Sequence, residues 1–209
     1  MKTPRYIIDE AALERNLKIL KSVSDRAGVR ILLAQKAFSC AAVYPLCAKY
    51  LAGTTASSLF EARHGHDNFG GETHVFAPAF IPEEMDELLG LVDYIVFNSP
   101  RQVALYGEKA RAAGVSVGLR VNPEVSVATT PAYDPCRPGS RLGTTRTTLN
   151  RKRSDRASRR VRHLQHIWHV AGGARIKNGV GDPIRVWRLD FKHTRFKRPR
   201  IEGDGFARL

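Results

Sequence analysis

The stretch Val29-Arg30-Ile31-Leu32-Leu33-Ala34-Gln35-Lys36 decides the fold, because it is a short apolar run that ends in two polar residues. Such a run is typical of a strand in a parallel sheet that is covered on both faces. A helix is predicted before it, because Leu13 and Leu17 have helical spacing and Asp9 can cap the first turn. A second helix is predicted after it, over 41–51.

The same alternation of strand and helix signals continues along the first 125 residues. Strands are predicted at Tyr6–Ile8, Val29–Ala34, Gly53–Ala56, Thr73–Phe76, Tyr94–Phe97 and Val115–Val121. Short apolar strands separated by helices indicate parallel β-α units. A repeat of roughly 20–25 residues favours a (β/α)8 barrel over an open sheet with longer crossovers. The predicted fold class is therefore α/β, a partial (β/α)8 barrel with about five of its eight strands.

The charge of the chain changes abruptly after Gly143. Residues 1–143 hold 16 Lys and Arg against 15 Asp and Glu, a net charge of +1. Residues 144–209 hold 18 cations, 14 of them Arg, against 5 acids, a net charge of +13. We therefore divide the chain into a barrel part, 1–143, and an Arg-rich tail, 144–209. The tail is too polar to supply a core, which predicts that it is disordered or translated out of frame.

The basic tail supports a second hypothesis, a protein that associates with nucleic acid and has no catalytic activity. Residues 146–162 hold eight cations and one acid, and Trp168 and Trp187 could stack on bases. Binding of this kind is expected to be non-specific and to weaken with added salt. A solvated, disordered tail is the alternative reading of the same residues, and it is the one we favour.

Membrane and metal sites are not predicted. The chain shows no signal-peptide-like stretch at its start and no apolar run long enough to span a membrane, so a cytoplasmic location is expected. The pair in His64-Gly65-His66 and the tail histidines His163, His166 and His169 lack the further ligands that a metal site needs.

Lys36 is the candidate catalytic residue. It follows an apolar strand, and in barrels of this kind the carboxyl ends of the strands carry the chemistry. A lysine that is partly desolvated there has a nucleophilic amine, as a Schiff base to an aldehyde cofactor requires. Position alone is weak evidence, because a lysine at a strand end is more often a solvated surface residue.

Six stretches in order along 3–143 resemble the fold-type III, alanine-racemase-like pyridoxal-phosphate decarboxylases, and within them the carboxynorspermidine decarboxylases. They are TPRYIID at 3–9, LLAQKAF at 32–38, GTTASSLFE at 53–61, FGGETH at 69–74, LRVNP at 119–123 and DPCRPGSRLG at 134–143. Each stretch is a weak signal, but the ordered set is specific.

The resemblance implies roles for particular residues. Lys36 would bind pyridoxal 5'-phosphate covalently, and Arg120 would lie beside the ring of the cofactor. Glu61 would be near the ring, although a capping carboxylate at the start of its helix is equally compatible with its position. Asn98 and Asn122 also follow strands, where a turn or cap role is favoured. Thr55 stands where some relatives have an aspartate, so no carboxylate role is transferred to it.

The resemblance further implies decarboxylation of carboxynorspermidine or carboxyspermidine to norspermidine or spermidine, in a homodimer. It also implies a stacking histidine, a glycine-rich phosphate loop, an acid at the pyridine nitrogen, a cysteine-aspartate pair and a tyrosine. Residues 144–209 contain none of these patterns. We therefore expect a frame change near codon 143 and a truncated, inactive chain.

Overall fold

The computed structural model describes residues 6–122, 124–125, 134–145 and 147–148, together with the backbone of 163–165. Helices in these residues are α1 Glu10–Ala27, α2 Tyr44–Cys47, α3 Leu59–Phe69, α4 Met85–Leu91 and α5 Pro100–Ala112. Strands are β1 Leu32–Ala34, β2 Gly53–Ala56, β3 Glu72–Phe76, β4 Tyr94–Phe97, β5 Ser116–Arg120 and β6 His163–Gln165. Short 3₁₀ turns at Ala41–Val43 and Pro82–Glu84 precede α2 and α4.

The six strands form one sheet in the order β1-β2-β3-β4-β5-β6, and each neighbouring pair is parallel. Sequential order is the arrangement of a (β/α)8 barrel, whereas a doubly wound open sheet reverses its order at a switch point. The prediction of an α/β fold with a partial barrel is therefore confirmed. Strand β6 comes from the tail, where the sequence pattern predicted no strand.

Three predicted elements differ from the structure. The strand predicted at Tyr6–Ile8 is wrong, since Tyr6 and Ile7 are 103% and 79% exposed and the described residues give them no strand partner. A short apolar run becomes a strand only where a neighbouring edge takes its backbone hydrogen bonds. The helix predicted over 41–51 ends at Cys47, after a 3₁₀ turn and one helical turn. The strand predicted to begin at Val29 begins at Leu32.

Polar side chains cap the starts of three helices. Asp9 Oδ1 accepts a hydrogen bond from Ala12 N at 2.9 Å, as predicted. Ser58 caps α3 and Ser99 caps α5, each through a side-chain oxygen that accepts from a backbone N–H in the first turn. Gly28 ends α1 with a φ of 64°, a backbone conformation that glycine adopts without steric cost.

The main core lies between one face of the sheet and the helices. Val75, Ile95 and Val117 are register partners on β3, β4 and β5, and all three are buried in this core. Met85 and Leu88 of α4 pack into the same cluster. Side chains alternate along a strand, so neighbouring positions face the opposite side, which is the barrel interior.

The interior face carries a polar network near the amino ends of the strands. Arg30 forms an ion pair with Glu72, and its guanidinium lies over the Tyr94 ring at 5.8 Å from the centroid. His74 Nε2 lies 3.0 Å from Glu72 Oε2, and its ring stacks on Tyr94 at 4.1 Å. These side chains satisfy one another, so this end of the interior is closed by internal contacts.

Gly65 and Gly90 provide a matched test of packing between β2 and α3. A Cβ at Gly65 would lie 2.3 Å from Thr54 Oγ1 and 2.7 Å from Gln35 Nε2, whereas one at Gly90 would meet nothing within 4 Å. Gly65→Ala is expected to lower the free energy of unfolding by about 1–3 kcal/mol through overpacking. Gly90→Ala is expected to raise it by roughly 0.5–1 kcal/mol through helix propensity. Urea unfolding of the two variants measures both, and equal effects would contradict the described packing of α3 on β2.

Candidate functional site

The sequence-predicted site residues all lie at the carboxyl edge of the sheet. Lys36 is in the turn after β1, Glu61 is in the first turn of α3 after β2, and Arg120 is the last residue of β5. Parallel strands bring these positions to one edge although they are far apart in sequence. Lys36 and Glu61 belong to adjacent β-α units, and Arg120 lies three strands beyond Glu61.

The Lys36 turn is held by backbone hydrogen bonds. Gln35 N donates to Thr55 O at 3.2 Å, and Ala37 N donates to Ala34 O at 2.9 Å. The Lys36 side chain is exposed, which differs from the expected partial desolvation. The turn carries the lysine past the end of β1, whose own residues are half-buried.

Gln35 anchors this turn to the neighbouring unit, and the sequence reasoning gave it no role. It is 2% exposed, its Nε2 donates to the backbone carbonyl of Glu61 at 2.8 Å, and its Oε1 accepts from the Tyr44 hydroxyl at 3.3 Å. A buried amide with both ends satisfied has one stable orientation. Gln35 therefore fixes the Lys36 turn relative to the start of α3.

Glu61 is engaged in capping. Ser58 Oγ accepts from Glu61 N at 3.2 Å, and Glu61 Oε2 accepts from Ser57 N at 2.7 Å. This reciprocal pair is a variant of the capping box, with the carboxylate reaching one residue further back than usual. The capping role that the sequence allowed is present, and the cofactor role stays a prediction.

Arg120 is a buried cation on the interior face. It is 4% exposed, and its guanidinium lies over the Phe76 ring at 4.6 Å from the centroid. Burial lowers the pKa of Arg120 below its ordinary value, and the nearby Cys136 acts in the opposite direction. Among the residues that the structure describes, Arg120 has no ion pair with a carboxylate.

Cys136 and Arg120 each shift the pKa of the other through their electrostatic interaction. Burial raises the pKa of the Cys136 thiol, Asp134 raises it further, and Arg120 lowers it. Asp134 Oδ1 also accepts from Cys136 N at 2.8 Å, which shapes this loop. The loop over 134–144 therefore places this thiol within electrostatic range of the guanidinium.

Asn98 fastens this loop to the end of β4. Its Nδ2 donates to Arg141 O at 2.9 Å, and its Oδ1 accepts from Gly143 N at 2.6 Å. Its backbone carbonyl accepts from Thr144 Oγ1 at 3.1 Å. The sequence predicted only a turn or cap role here, because nothing in the local pattern links position 98 to position 143.

The other polar strand-end residues have structural roles. Asn122 is buried, its Oδ1 accepts from Glu124 N at 2.9 Å, and its own N donates to Thr144 O at 2.9 Å. This confirms the turn role predicted for it. Thr55 is half-buried in β2 and pairs in register with Ala34 and His74.

Several sequence predictions fall outside the described residues. They concern the cations of the basic run 146–162, together with Trp168 and Trp187. Across the described part of the chain, no three His, Cys, Asp or Glu side chains cluster as a metal site would require. None of the helices in that part is both long and apolar enough to cross a membrane.

Comparison with curated proteins gives relatives of one enzyme class. The chain is 45% identical over 143 residues to carboxynorspermidine/carboxyspermidine decarboxylase of Herminiimonas arsenicoxydans, covering 68% of this chain and 39% of that protein. It is 38% identical over 143 residues to the Campylobacter jejuni protein of the same name, and to carboxyaminopropylagmatine decarboxylase of Synechocystis, each covering 68% of this chain and 37% of the relative. The chain therefore spans less than two fifths of these relatives. No protein-family model matches it.

Solved structures give the same result for the fold. Carboxynorspermidine decarboxylase of Campylobacter jejuni, in complex with norspermidine, superposes with a TM-score of 0.61 at 34% identity, over 69% of this chain and 36% of that one. Diaminopimelate decarboxylase of Helicobacter pylori also gives 0.61, at 18% identity, over 80% of this chain and 43% of that one. At that identity the second match supports the fold alone. These comparisons confirm the resemblance that the ordered stretches predicted.

Removal of the Asn98 side chain tests how the loop is held. Asn98→Ala leaves Gly143 N and Arg141 O without these partners, so the free energy of unfolding is expected to fall by about 1–3 kcal/mol. Asn68→Ala is the control, because Asn68 Nδ2 also donates to a backbone carbonyl, that of His64 at 2.8 Å, but on the exposed surface of α3. That variant is expected to change stability by under about 0.5 kcal/mol. Equal losses in urea unfolding would show that Asn98 does not fasten the loop.

Proposed function

We infer that this chain carries the lysine-bearing part of a pyridoxal-phosphate-dependent decarboxylase of polyamine synthesis. The premise is that over 143 residues the chain is a homologue of the carboxynorspermidine decarboxylases. The substrate would be carboxynorspermidine or carboxyspermidine. The bond between Cα and the carboxylate breaks, CO2 leaves, and a proton takes its place on Cα. The product would be norspermidine or spermidine.

The observation that carries the proposal is the buried Arg120 at the carboxyl edge. A buried cation without a carboxylate partner in the described residues is unfavourable by itself, and an anion at that place would offset the cost. Pyridoxal phosphate is anionic, and so is the substrate carboxylate. Lys36, an exposed residue, lies at the same edge. The residues present therefore fit the cofactor.

Lys36, Arg120 and Glu61 would have separate roles in holding the cofactor and substrate. Lys36 would hold the cofactor through Nζ, on the turn that Gln35 anchors. Arg120 would face an anionic group of the cofactor or substrate with its in-plane N–H donors. A contact from Glu61 would have to coexist with the hydrogen bond that its carboxylate accepts from Ser57. When bound, pyridoxal phosphate supplies the aldehyde carbon and the electron-accepting ring.

The wider setting follows from the same premise. We propose a homodimer in the cytoplasm, as the resemblance implies. Catalysis by this chain alone would require functions that the resemblance assigns to residues beyond 143, such as the acid at the pyridine nitrogen. Inactivity of the isolated chain therefore stays a prediction. The nucleic-acid hypothesis rests only on the charge of the tail.

Labelling with pyridoxal phosphate and borohydride tests the proposal. Reduction in the presence of one molar equivalent of the cofactor is expected to fix close to one pyridoxyl group per chain on Lys36, which peptide mass mapping would locate. Lys36→Ala should abolish this stoichiometric label. Lys49→Ala is the matched control, because Lys49 is also exposed but is grouped with Arg30 and Ala52 at the amino edge of the sheet. That variant should be labelled as the unaltered chain is.

The outcome that contradicts the proposal is a label spread over the surface lysines in proportion to their exposure. It would mean that Lys36 has no selective affinity for the cofactor and behaves as an ordinary surface residue.

A further inference from the structure

Phe76 and Arg120 meet because of strand register. Phe76 pairs with Val96, and Val96 pairs with Gly118, two residues before Arg120. Alternation along β5 places Arg120 on the same face as Gly118, and thus on the face of Phe76. The guanidinium carbon lies 4.6 Å from the centroid of the Phe76 ring, in the range of a cation–π interaction.

The interior face contains a second stacked arginine that serves as a comparison. Arg30 lies over the Tyr94 ring and also forms an ion pair with Glu72. Arg120 lies over Phe76, but no carboxylate among the described residues pairs with it. Arg120 is also the more buried of the two, at 4% exposure against a 40% exposed side chain for Arg30. Within the described part of the chain, the more buried arginine is therefore the one that lacks a carboxylate counter-ion, although burial makes a counter-ion more necessary there.

We propose that Phe76 is a positioning residue for Arg120, which it holds as a buried cation whose charge and in-plane donors stay available to an anionic group of cofactor or substrate. This rests on the proposed function and deepens it. A carboxylate in the place of Phe76 would accept the N–H donors and neutralise the charge. An aromatic face attracts the flat side of the guanidinium and leaves its edge uncovered.

The stem of Arg120 is confined from the other side by Gly143. A Cβ at Gly143 would lie 3.1 Å from Arg120 Cγ and 2.9 Å from Asn122 N, and Gly143 has a φ of 83°. Asn98 fixes Gly143, because its Oδ1 accepts a hydrogen bond from the backbone N–H of Gly143. The stem is thus confined by a fastened backbone and the head group by an aromatic ring. This arrangement restricts the guanidinium without a counter-ion.

Stepwise fluorination of Phe76 in the full chain tests the proposal. Replacement by 4-fluoro-, 3,5-difluoro- and 3,4,5-trifluorophenylalanine nearly preserves shape while it weakens the attraction of the ring for a cation. Over the series the unfolding equilibrium should shift toward the unfolded chain by about tenfold. The dissociation constant for pyridoxal phosphate should rise by a similar factor. In an Arg120→Met background, fluorination of Phe76 should change neither the unfolding equilibrium nor the dissociation constant for pyridoxal phosphate.

The Arg120→Met variant adds a readout that needs no ligand. If Arg120 binds an anion and does not stabilise the fold, an apolar side chain of similar length should leave the unliganded chain at least as stable as the unaltered chain. Arg120→Lys keeps the charge but not the planar fork, and should lose most of the affinity for pyridoxal phosphate. A strongly destabilised Arg120→Met chain would assign Arg120 a structural role and overturn the proposal.

The remaining outcomes separate the proposal from its premise. Two results would overturn the role of Phe76 and leave the proposed function intact. In one, fluorination lowers the stability stepwise but does not change the affinity for pyridoxal phosphate. In the other, fluorination changes neither quantity, although Lys36 is labelled. A chain that shows no selective label on Lys36 overturns the proposed function, and with it the ligand that Arg120 is proposed to meet.

Discussion

The parallel register of the strands is the constraint on which the rest of the structure depends. Because each strand pairs in the same direction with the next, every strand ends at one edge of the sheet. Phe97 and Leu119 are register partners, so the residues that follow them, Asn98 and Arg120, are brought to adjacent positions. A one-residue slip of β5 would turn Arg120 into the helix-side core. The candidate site is a consequence of pairing and not of any local motif.

The arginines at the two ends of the barrel interior differ in how their charge is compensated. At the amino end, Arg30, Glu72, His74 and Tyr94 satisfy one another through an ion pair, a hydrogen bond and ring stacking. At the carboxyl end, Arg120 has an aromatic support but no carboxylate partner in the described residues. A closed network stabilises the fold, whereas an incomplete one is retained where a ligand completes it. This contrast supports the proposed site at the carboxyl edge by an argument that does not use the resemblance.

The sequence predicted the elements that depend on local patterns. Strands β2 to β5, the capping of α1 by Asp9 and the barrel class all follow from short-range periodicity, capping chemistry and repeat length. Tyr6–Ile8 was wrong because a strand needs a partner that the run itself does not encode. Phe76 and the hydrogen bonds of Asn98 were missed because they depend on which residues of different strands share a register. Lys36 and Arg120 were proposed through resemblance, since a basic residue at a strand end carries little information alone.

Hydrogen exchange of the full chain, with and without pyridoxal phosphate, tests most directly whether the carboxyl edge is the binding site. The account predicts slower exchange at backbone amides of the Lys36 turn and of Asn98, Gly143 and Thr144. It predicts no change at the opposite edge, where Ser116 N donates to Asp93 O at 2.9 Å. Protection at the amino edge, or none at the carboxyl edge in the presence of saturating cofactor, would contradict it.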